Sequence, residues 1–220
     1  MKSSNTLSAA GLYANLSPEL SALALRGTVH GYPKKVILIN EADTGDSLFV
    51  LLKGSVKVFS MNENGREITF GTIYSGDYFG EMSLDGGARS ASVMTLEPST
   101  CAVLSRTQVS EHLAHTPEFA MSLVVQVIRR ARAATEAARS LALLDVYGRL
   151  IAVLEERDGV LVREGEAGIT LEPITHQDIA NRVGASREMV SRLLKDLERG
   201  KYIEMGSKRI TMLRKLPARW

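Results

Sequence analysis

Hydrophobic and polar residues alternate in short runs from Val36 to about Val103, and Gly, Asn or Asp residues separate the runs. The segment SLFVLLKGSVKVFS alternates across Gly54, and further alternating residues follow the turn NENG. Short alternating runs between turn residues are typical of antiparallel strands. No helical periodicity interrupts them, so this part of the chain is predicted to form an antiparallel sandwich or barrel.

The pattern changes after Pro117. Residues 118–145 contain no Gly or Pro, and small or apolar residues recur there at alternating steps of four and three. The residues at these heptad positions are Ala120, Val124, Val127, Ala131, Ala134, Ala138 and Leu141. This repeat predicts a long helix that packs against a second helix. A helix packed on its own domain is the alternative, but it needs fewer apolar positions in register, so the pattern favours a dimer.

Two short helices are predicted between Thr175 and Gly200. Thr175 can cap the first helix, with Asp178 in the acidic position of a capping box, and Gly184 ends it. Ser186 can cap the second helix. The apolar stripe of that second helix consists of Val190, Leu193, Leu194 and Leu197. Two helices joined by such a tight glycine turn predict a helix-turn-helix.

Strand pairs are predicted on either side of these two helices. Turn residues dominate residues 156–168, which are predicted to form turns and a short hairpin. The segment KYIEMGSKRITML follows the second helix and alternates around Gly206 and Ser207. This pattern predicts a two-stranded wing beside the helix-turn-helix.

Charge is distributed unevenly along the chain. Residues 1–174 carry 16 Lys and Arg against 20 Asp and Glu, a net −4, whereas residues 175–220 carry 11 against 5, a net +6. A basic C-terminal part is expected to contact a polyanion. The face of the second helix opposite its apolar stripe carries Arg187, Glu188, Ser191, Arg192 and Lys195.

These side chains suit double-stranded DNA. Arg can donate two hydrogen bonds to guanine O6 and N7, and Glu can accept from cytosine N4. Lys201, Lys208 and Arg209 are placed to neutralise phosphates. A winged helix that mediates only protein contacts is the alternative, but basic charge and base-contacting side chains coincide on one predicted face, which favours DNA.

The remaining composition argues against several other classes. Cys101 is the only cysteine, which excludes an internal disulfide and a Cys-ligated iron–sulfur cluster, and a buried strand position is expected for it. The histidines are scattered and give no support for haem sensing; they are His30, His112, His115 and His176. Nucleophile–base pairs, metal-ligand clusters and Gly-rich loops ending in Lys-Ser/Thr are not found, so no enzymatic activity and no metal site are expected.

Two further features bear on location. No apolar run approaches the roughly 18 residues of a membrane-spanning helix, and residues 1–19 lack the apolar core of a signal peptide. A cytoplasmic protein without membrane contacts is therefore expected.

Two C-terminal motifs resemble the CRP/FNR family of bacterial transcription regulators. LALLDVYGRL, residues 141–150, is similar to the hinge after that family's dimer helix, and ITHQDIANRVGASREMVSRLLKDLE is similar to its helix-turn-helix. The resemblance covers roughly residues 15–215. It implies an α+β fold with an N-terminal double-stranded β-roll (a jelly roll), a long dimerisation helix and a C-terminal winged helix-turn-helix. The domains expected from it are residues 1–117, 118–145 and 146–220.

The resemblance also implies the DNA-contacting residues. Those matching Arg187, Glu188 and Arg192 contact base edges of a palindromic site in the family, and Ser191 does so in the FNR branch. The full expected set is Thr175, Gln177, Ser186, Arg187, Glu188, Ser191, Arg192, Lys195 and Lys208.

The stretch GDYFGEMSLDGGARSASV, residues 76–93, resembles the phosphate-binding cassette of cyclic-nucleotide-binding domains. The resemblance implies that Gly80 and Glu81 hold the ribose 2′-hydroxyl and that Arg89 and Ser90 hold the cyclic phosphate. A guanidinium fork and backbone N–H groups at a turn are suited to phosphate, and glycines allow close approach. Met82 and Thr135 complete the expected effector site.

Two departures from the family pattern keep alternatives open. Glu81 and Arg89 are eight positions apart, fewer than in the usual cassette. The adjacent Thr-Ser hydroxyls of the cAMP-responsive branch correspond to Ala134 and Thr135, so one hydroxyl is absent. Glu81 and Arg89 could instead pair with each other in a vestigial pocket. The FNR type of iron–sulfur sensing is excluded by the single cysteine.

The expected function is that of a homodimeric, sequence-specific transcription regulator that binds an inverted repeat in double-stranded DNA and acts with RNA polymerase. A cyclic nucleotide, with cAMP as the first candidate, is the expected effector. Two alternatives remain: a regulator independent of any effector, and a cyclic-nucleotide-binding module that acts through protein contacts.

Overall fold

A computed structural model describes residues 9–156, 161–165 and 168–217. The helices are α1 Ala9–Leu12, α2 Pro18–Ala24, α3 Arg106–His115, α4 Pro117–Leu143, α5 Val146–Glu156, α6 His176–Val183 and α7 Arg187–Arg199. The strands are β1 Thr28–Tyr32, β2 Ile37–Ile39, β3 Leu48–Lys53, β4 Ser55–Met61, β5 Glu67–Tyr74, β6 Tyr78–Phe79, β7 Ser92–Thr95, β8 Ser99–Leu104, β9 Leu161–Gly165, β10 Gly168–Glu172, β11 Ile203–Gly206 and β12 Arg209–Met212. A one-turn 3₁₀ helix covers Glu81–Ser83. The predicted α+β class is confirmed.

The described chain forms two compact units. One comprises the described residues up to Ser60 together with Thr72–Arg129, and the other comprises Met61–Gly71 and the described residues from Arg130 onward. The strands form three four-stranded sheets, in the orders β1-β8-β3-β6, β2-β7-β4-β5 and β11-β12-β10-β9. In the first sheet β8 lies between β1 and β3 and pairs antiparallel with both. The predicted N-terminal antiparallel β-roll is therefore confirmed.

Strand β3 does not alternate between buried and exposed residues, as its sequence segment was expected to do. All five residues from Leu48 to Leu52 are buried. Leu48, Val50 and Leu52 belong to one hydrophobic core cluster, and Phe49 and Leu51 belong to a second. The strand is central in its sheet and both of its faces are covered, so an apolar residue is buried at every position.

Helices α2 and α3 were not predicted from the hydrophobic pattern, but each begins at a capping serine. In α2, the Ser17 hydroxyl accepts from Leu20 N at 3.3 Å, and proline occupies the first helical position. In α3, Ser105 and Gln108 form a capping box, with Gln108 Oε1 accepting from Ser105 N at 2.8 Å. Capping of this kind supplies partners for backbone N–H groups that a helix start leaves unpaired.

Helix α4 confirms the long helix that was predicted for residues 118–145. It begins one residue earlier, at Pro117, and ends two residues earlier, at Leu143. Leu144 and Asp145 separate it from α5, and Asp145 Oδ1 accepts from Gly148 N at 2.7 Å in the first turn of α5. Phe119, near the start of α4, is buried. The three large apolar heptad residues further along stay exposed in the single chain: Val124 at 51%, Val127 at 45% and Leu141 at 47%. Among the described residues, none of the helices is both long and apolar enough to cross a membrane.

The C-terminal unit contains the predicted winged helix-turn-helix. Residues of α5, α6, α7 and the wing strands share one core, in which Leu150, Ile179, Leu194 and Leu197 are fully buried. The wing strands β11 and β12 pair antiparallel, with Gly206 opposite Arg209. The predicted hairpin before the helices is formed by β9 and β10, with Gly165 opposite Gly168, and residues 157–160 and 166–167 lie outside the described residues.

Candidate DNA-binding surface and effector pocket

The two helices of the helix-turn-helix begin and end at the predicted residues. Asp178 N donates to Thr175 Oγ1 at 3.1 Å and Thr175 N donates to Asp178 Oδ2 at 2.9 Å, which is the reciprocal capping box. Gly184 ends α6 in the left-handed conformation, with φ +63°, where glycine is favoured. Ser186 Oγ accepts from Met189 N at 3.2 Å at the start of α7. Thr175 and Ser186 therefore have cap roles in addition to their predicted DNA contacts.

Helix α7 has one buried and one exposed face. Val190, Leu194 and Leu197 are fully buried, and Leu193 is half-buried. The opposite face carries four exposed predicted DNA-contacting residues: Arg187, Glu188, Arg192 and Lys195. Because the apolar stripe fixes the helix on its core, these side chains extend from its first two turns and a half into solvent. A helix presented in this way can enter a major groove.

The wing supplies further cations beside the start of α7. Arg187 lines a cavity of about 330 Å³ together with Gln177, Lys208 and Arg209. Lys208 lies in the turn of the wing with φ +53° and is exposed. Arginine and lysine side chains around one cavity near a helix start suit a DNA phosphate. The structure thus brings together four of the predicted DNA-contacting residues, Thr175, Gln177, Arg187 and Lys208.

His176 is a member of this cavity that sequence reasoning did not select. It is the first residue of α6, and its Nδ1 lies 2.8 Å from Ser191 Oγ on α7. Burial lowers the pKa of His176, and the positive charges of Arg187 and Lys195 lower it further. No local pattern indicates a contact across 15 positions, so the sequence offers no signal for it.

The tip of the β4–β5 hairpin was predicted only as a turn, yet it contacts α6. The Arg66 guanidinium donates to the Gly184 carbonyl, and Asn181 Nδ2 donates to Glu67 Oε1 at 2.8 Å. Asn181 Oδ1 also accepts from Gln177 Nε2 at 2.7 Å. The hairpin tip therefore holds the carbonyl of the glycine that ends α6, and it orders two polar side chains of that helix.

In the other unit, Glu81 and Arg89 are buried beside Gly80, and we call these residues and their neighbours the effector pocket. Glu81 is 5% exposed and Arg89 is 8% exposed. Gly80 precedes the 3₁₀ turn with φ +89°, and a Cβ there would lie 2.8 Å from Ser47 O and 2.9 Å from Arg89 Nη1. Gly80 is required because its backbone is left-handed and no side chain fits between these atoms.

Arg89 is held by acceptors of the protein itself. Its Nη1 donates to Gly80 O at 2.9 Å and to Ser83 Oγ at 2.7 Å, and its Nη2 donates to Ser47 O at 2.9 Å. Burial lowers the pKa of Arg89, while the nearby carboxylates of Asp46 and Glu81 act in the opposite direction. A guanidinium has five N–H donors, so Nε–H and one N–H of Nη2 remain for a further acceptor.

Ser83 and Gly45 are residues of this pocket that the sequence interpretation missed. Ser83 is buried, and its hydroxyl also donates to Gly80 O at 3.1 Å. A Cβ at Gly45 would lie 3.2 Å from Arg89 Nη2 and 3.3 Å from Nε. Glycine at this position therefore leaves the unused edge of the guanidinium accessible. Gly45 lies outside the stretch that resembles the cassette, which is why the sequence gave no indication of its role.

The other predicted effector residues are at the surface. Met82 and Ser90 are exposed, and Ser90 Oγ donates to Met82 Sδ at 3.3 Å. Thr135 belongs to the second unit, is exposed, and donates through its hydroxyl to Ala131 O at 3.0 Å. Gly80, Glu81 and Arg89 thus lie together in the first unit, whereas Thr135 belongs to the second unit, on α4.

The single cysteine lies where the sequence predicted it. Cys101 is buried in β8, and burial raises the pKa of its thiol to about 12. In the part of the chain that the structure describes, no group of three or more His, Cys, Asp or Glu side chains could hold a metal ion.

Two families of domains match this chain. The family described as cyclic nucleotide-binding domain matches residues 29–116, and the Crp-like helix-turn-helix domain family matches residues 148–216. The first covers the β-roll with the Glu81 and Arg89 pocket, and the second covers the helix-turn-helix and its wing.

Relatives and solved structures agree with these matches. The chain is 33% identical to the cAMP-activated global transcriptional regulator CRP of Pasteurella multocida over 205 residues, which is 90% of this chain and 96% of the relative. It is 29% identical to the CRP-like cAMP-activated global transcriptional regulator of Mycobacterium tuberculosis, over 93% of this chain and 92% of the relative. The structure of the c-di-GMP-responsive global regulator CLP of Xanthomonas campestris shares the fold, with a TM-score of 0.81 and 24% identity over 89% of this chain and 98% of that one.

The chain belongs to the CRP/FNR family of transcription regulators. It is a DNA-binding transcription regulator with a cyclic-nucleotide-binding domain, as the sequence predicted.

Proposed function

We propose that the protein works as a homodimer that binds an inverted-repeat DNA site, and that a cyclic nucleotide bound by Glu81 and Arg89 controls this binding. The observation that carries the DNA-binding part is the exposed face of α7, where Arg187, Glu188 and Arg192 extend from a helix fixed by its buried stripe. Their donors and acceptors match those of guanine and cytosine in a major groove.

The exposed apolar residues of α4 support the homodimer. Val124, Val127 and Leu141 are between 45% and 51% exposed in the single chain, and the small residues Ala131, Ala134 and Ala138 lie between them in the heptad repeat. Two copies of α4 paired along this repeat would bury these side chains. A homodimer with two α7 helices also accounts for an inverted repeat, because the symmetry of the site then matches that of the protein.

The pocket of Glu81 and Arg89 supports a cyclic nucleotide as effector. The unused edge of the Arg89 guanidinium can donate to two phosphate oxygens, and the buried Glu81 carboxylate can accept from a ribose hydroxyl. We take cAMP as the first candidate because the P. multocida relative is described as cAMP-activated.

A regulator independent of any effector is the second candidate. It is favoured by the three hydrogen bonds that Arg89 makes to Gly80, Ser83 and Ser47, which already hold the guanidinium without a ligand. The two candidates differ in one outcome, namely whether a cyclic nucleotide changes the affinity for DNA.

The family suggests further properties of the proposed regulator. We infer three functional parts, residues 1–117 for the effector, 118–145 for dimerisation and 146–220 for DNA binding. RNA polymerase is the proposed protein partner, and the cytoplasm is the proposed location because chromosomal DNA and RNA polymerase are there in bacteria.

Selection from a random duplex pool tests the proposal. The full-length protein is incubated with the pool without ligand and with cAMP, cGMP or cyclic di-GMP in separate arms. We expect an inverted repeat to be recovered, with tighter binding in one nucleotide arm. Recovery of the same site with equal affinity in every arm supports the effector-independent regulator instead. Recovery of no common sequence in any arm would overturn the DNA-binding assignment.

A further inference from the structure

His176 and Ser191 connect the two helices of the helix-turn-helix through their side chains. His176 Nδ1 lies 2.8 Å from Ser191 Oγ, and both residues are half-buried. Ser191 lies one turn after Arg187 on α7 and directly before Arg192, both of which are exposed. The hydroxyl therefore lies among the side chains that are proposed to contact base edges, while an imidazole on the other helix holds it.

The proton in this hydrogen bond decides what Ser191 can offer to DNA. If neutral His176 accepts at Nδ1, the hydroxyl hydrogen of Ser191 is used and only its oxygen lone pairs remain. If His176 donates from Nδ1, Ser191 keeps its hydrogen and can donate to a base. A protonated imidazole donates from both nitrogens, so protonation of His176 selects the second arrangement.

The groups that face His176 are cations. Arg187 and Lys195 of α7 both lower its pKa in addition to burial, and Lys208 and Arg209 of the wing line the same cavity as His176. The imidazole is therefore neutral near pH 7 in the free protein. A DNA phosphate in this cavity would offset these cations and make the imidazolium more favourable, so binding would take up a proton.

We propose that His176 is a positioning residue for Ser191 and that, through this hydrogen bond, it makes the sequence specificity of DNA binding depend on pH. The inference rests on the proposed DNA-binding function. Specificity increases as the pH falls from about 7.5 to about 5, because burial and the surrounding cations make the imidazole gain its charge below the usual value near 6.5.

The test measures the ratio of affinities for the selected duplex and for a scrambled duplex of the same length and composition. This ratio removes the phosphate contribution that both duplexes share. In the wild-type protein at constant ionic strength, the ratio should rise roughly three- to tenfold between about pH 7.5 and pH 5, the size of one hydrogen bond. In His176→Gln, a neutral side chain with hydrogen-bonding groups, the ratio should not change with pH.

Ser191→Ala removes the hydroxyl partner of His176. It therefore tests the same hydrogen bond even if the His176→Gln protein does not fold. The pH dependence of the ratio should disappear in Ser191→Ala as well. His115→Gln is the matched control, because His115 is an exposed histidine in the other unit, and its ratio should rise as in the wild type.

A wild-type ratio that is constant with pH would overturn the inference, as would a full pH dependence in Ser191→Ala, because His176 would then act without Ser191. These results leave the DNA-binding function intact, since the wild type still distinguishes the two duplexes. A wild-type protein that selects no duplex would reject the proposed function itself, and this inference with it.

Discussion

The guanidinium of Arg89 donates to the hydroxyl of Ser83 at 2.7 Å. Ser83 lies in the 3₁₀ turn that begins at Glu81, so the two proposed ligand-binding side chains are linked through one short turn. Arg89 also binds the carbonyls of Gly80 and Ser47. Because these partners lie in two different segments, the arginine that is proposed to bind phosphate also holds the pocket together.

Arg89→Ala is expected to remove the heat of nucleotide binding in calorimetry, because the phosphate loses its charge-assisted donors. It should also lower the free energy of unfolding by about 1–3 kcal/mol, since buried acceptors lose their partner. Ser83→Ala is the matched control. This variant keeps the guanidinium, so it should still bind nucleotide. Its free energy of unfolding should fall by only about 0.5–1.5 kcal/mol, because one hydrogen bond is lost. An unchanged nucleotide affinity in Arg89→Ala would show that Arg89 does not bind the phosphate.

The heptad repeat of α4 predicts the effect of a charge on assembly. Ala131→Glu should produce monomers in sedimentation experiments, because a carboxylate at a close helix crossing loses water without gaining a partner. Ala133→Glu is the control, since Ala133 is exposed on the same helix and lies outside the repeat. A sedimentation coefficient of Ala131→Glu that equals that of the wild-type dimer would reject the repeat as the interface.

A base contact of Arg192 should be visible as a change in specificity. Arg192→Ala is expected to weaken binding to the selected duplex by about 1–3 kcal/mol and to relax the preference at one base pair. Arg199→Ala serves as control, because Arg199 is an exposed arginine in the last turn of the same helix and pairs with Asp196. If Arg192→Ala selects the wild-type site with full stringency, Arg192 contacts no base.

A phosphate contact of Lys208 should have a different signature. Lys208→Ala is expected to weaken binding to selected and scrambled duplexes alike, and to lower the slope of log affinity against log salt concentration by about one. Titrations at several salt concentrations measure this slope. A loss confined to the selected duplex would contradict the assignment, because it would place Lys208 at a base.

His112 should make the stability of the N-terminal unit depend on pH. It is buried in α3 with its ring edge against Phe119, and its Nε2 has no hydrogen-bond partner among the described residues. Burial lowers the pKa of His112, Arg26 acts in the same direction, and the Glu19 backbone opposes them. The unfolded chain, in which histidine titrates near 6.5, therefore binds more protons than the folded one.

The free energy of unfolding should consequently fall as the pH decreases through about 6.5 and stop falling below the pKa of the folded state. Urea titrations between about pH 5 and pH 7.5 measure this change. His112→Phe keeps an aromatic ring against Phe119 and should reduce the dependence. A separate pH dependence should remain for the C-terminal unit, because burial lowers the pKa of His176 there. A stability profile of His112→Phe identical to that of the wild type would contradict this account.

Local signals account for what the sequence predicted well. The Thr175 and Asp178 capping box, the left-handed Gly184 and the Ser186 cap all depend on residues within a few positions of one another. For this reason the ends of α6 and α7 could be located from the sequence alone. Similarly, the spacing of apolar residues was sufficient to predict α4 and the wing.

Contacts between distant residues account for what the sequence did not predict. Strand β1 lies at an edge of its sheet with mostly exposed residues, so no alternation marks it, and only its pairing with β8 defines it. The Ser83 contact to Arg89 and the His176 contact to Ser191 each require the folded backbone. Gly45 at the edge of the guanidinium is a further example, since only the fold brings it near Arg89.

The burial of Cys101 has a practical consequence for spectroscopy. Burial raises the pKa of the Cys101 thiol to about 12, so very little thiolate is present at pH 7, and alkylating probes attack the thiolate. The folded native chain therefore behaves toward such probes as though it had no cysteine. A single cysteine introduced at an exposed position, such as Ala133, can carry a fluorophore or spin label without removal of the native one. In a symmetric dimer, that one substitution yields a matched pair of labels whose separation reports directly on how the two long helices move.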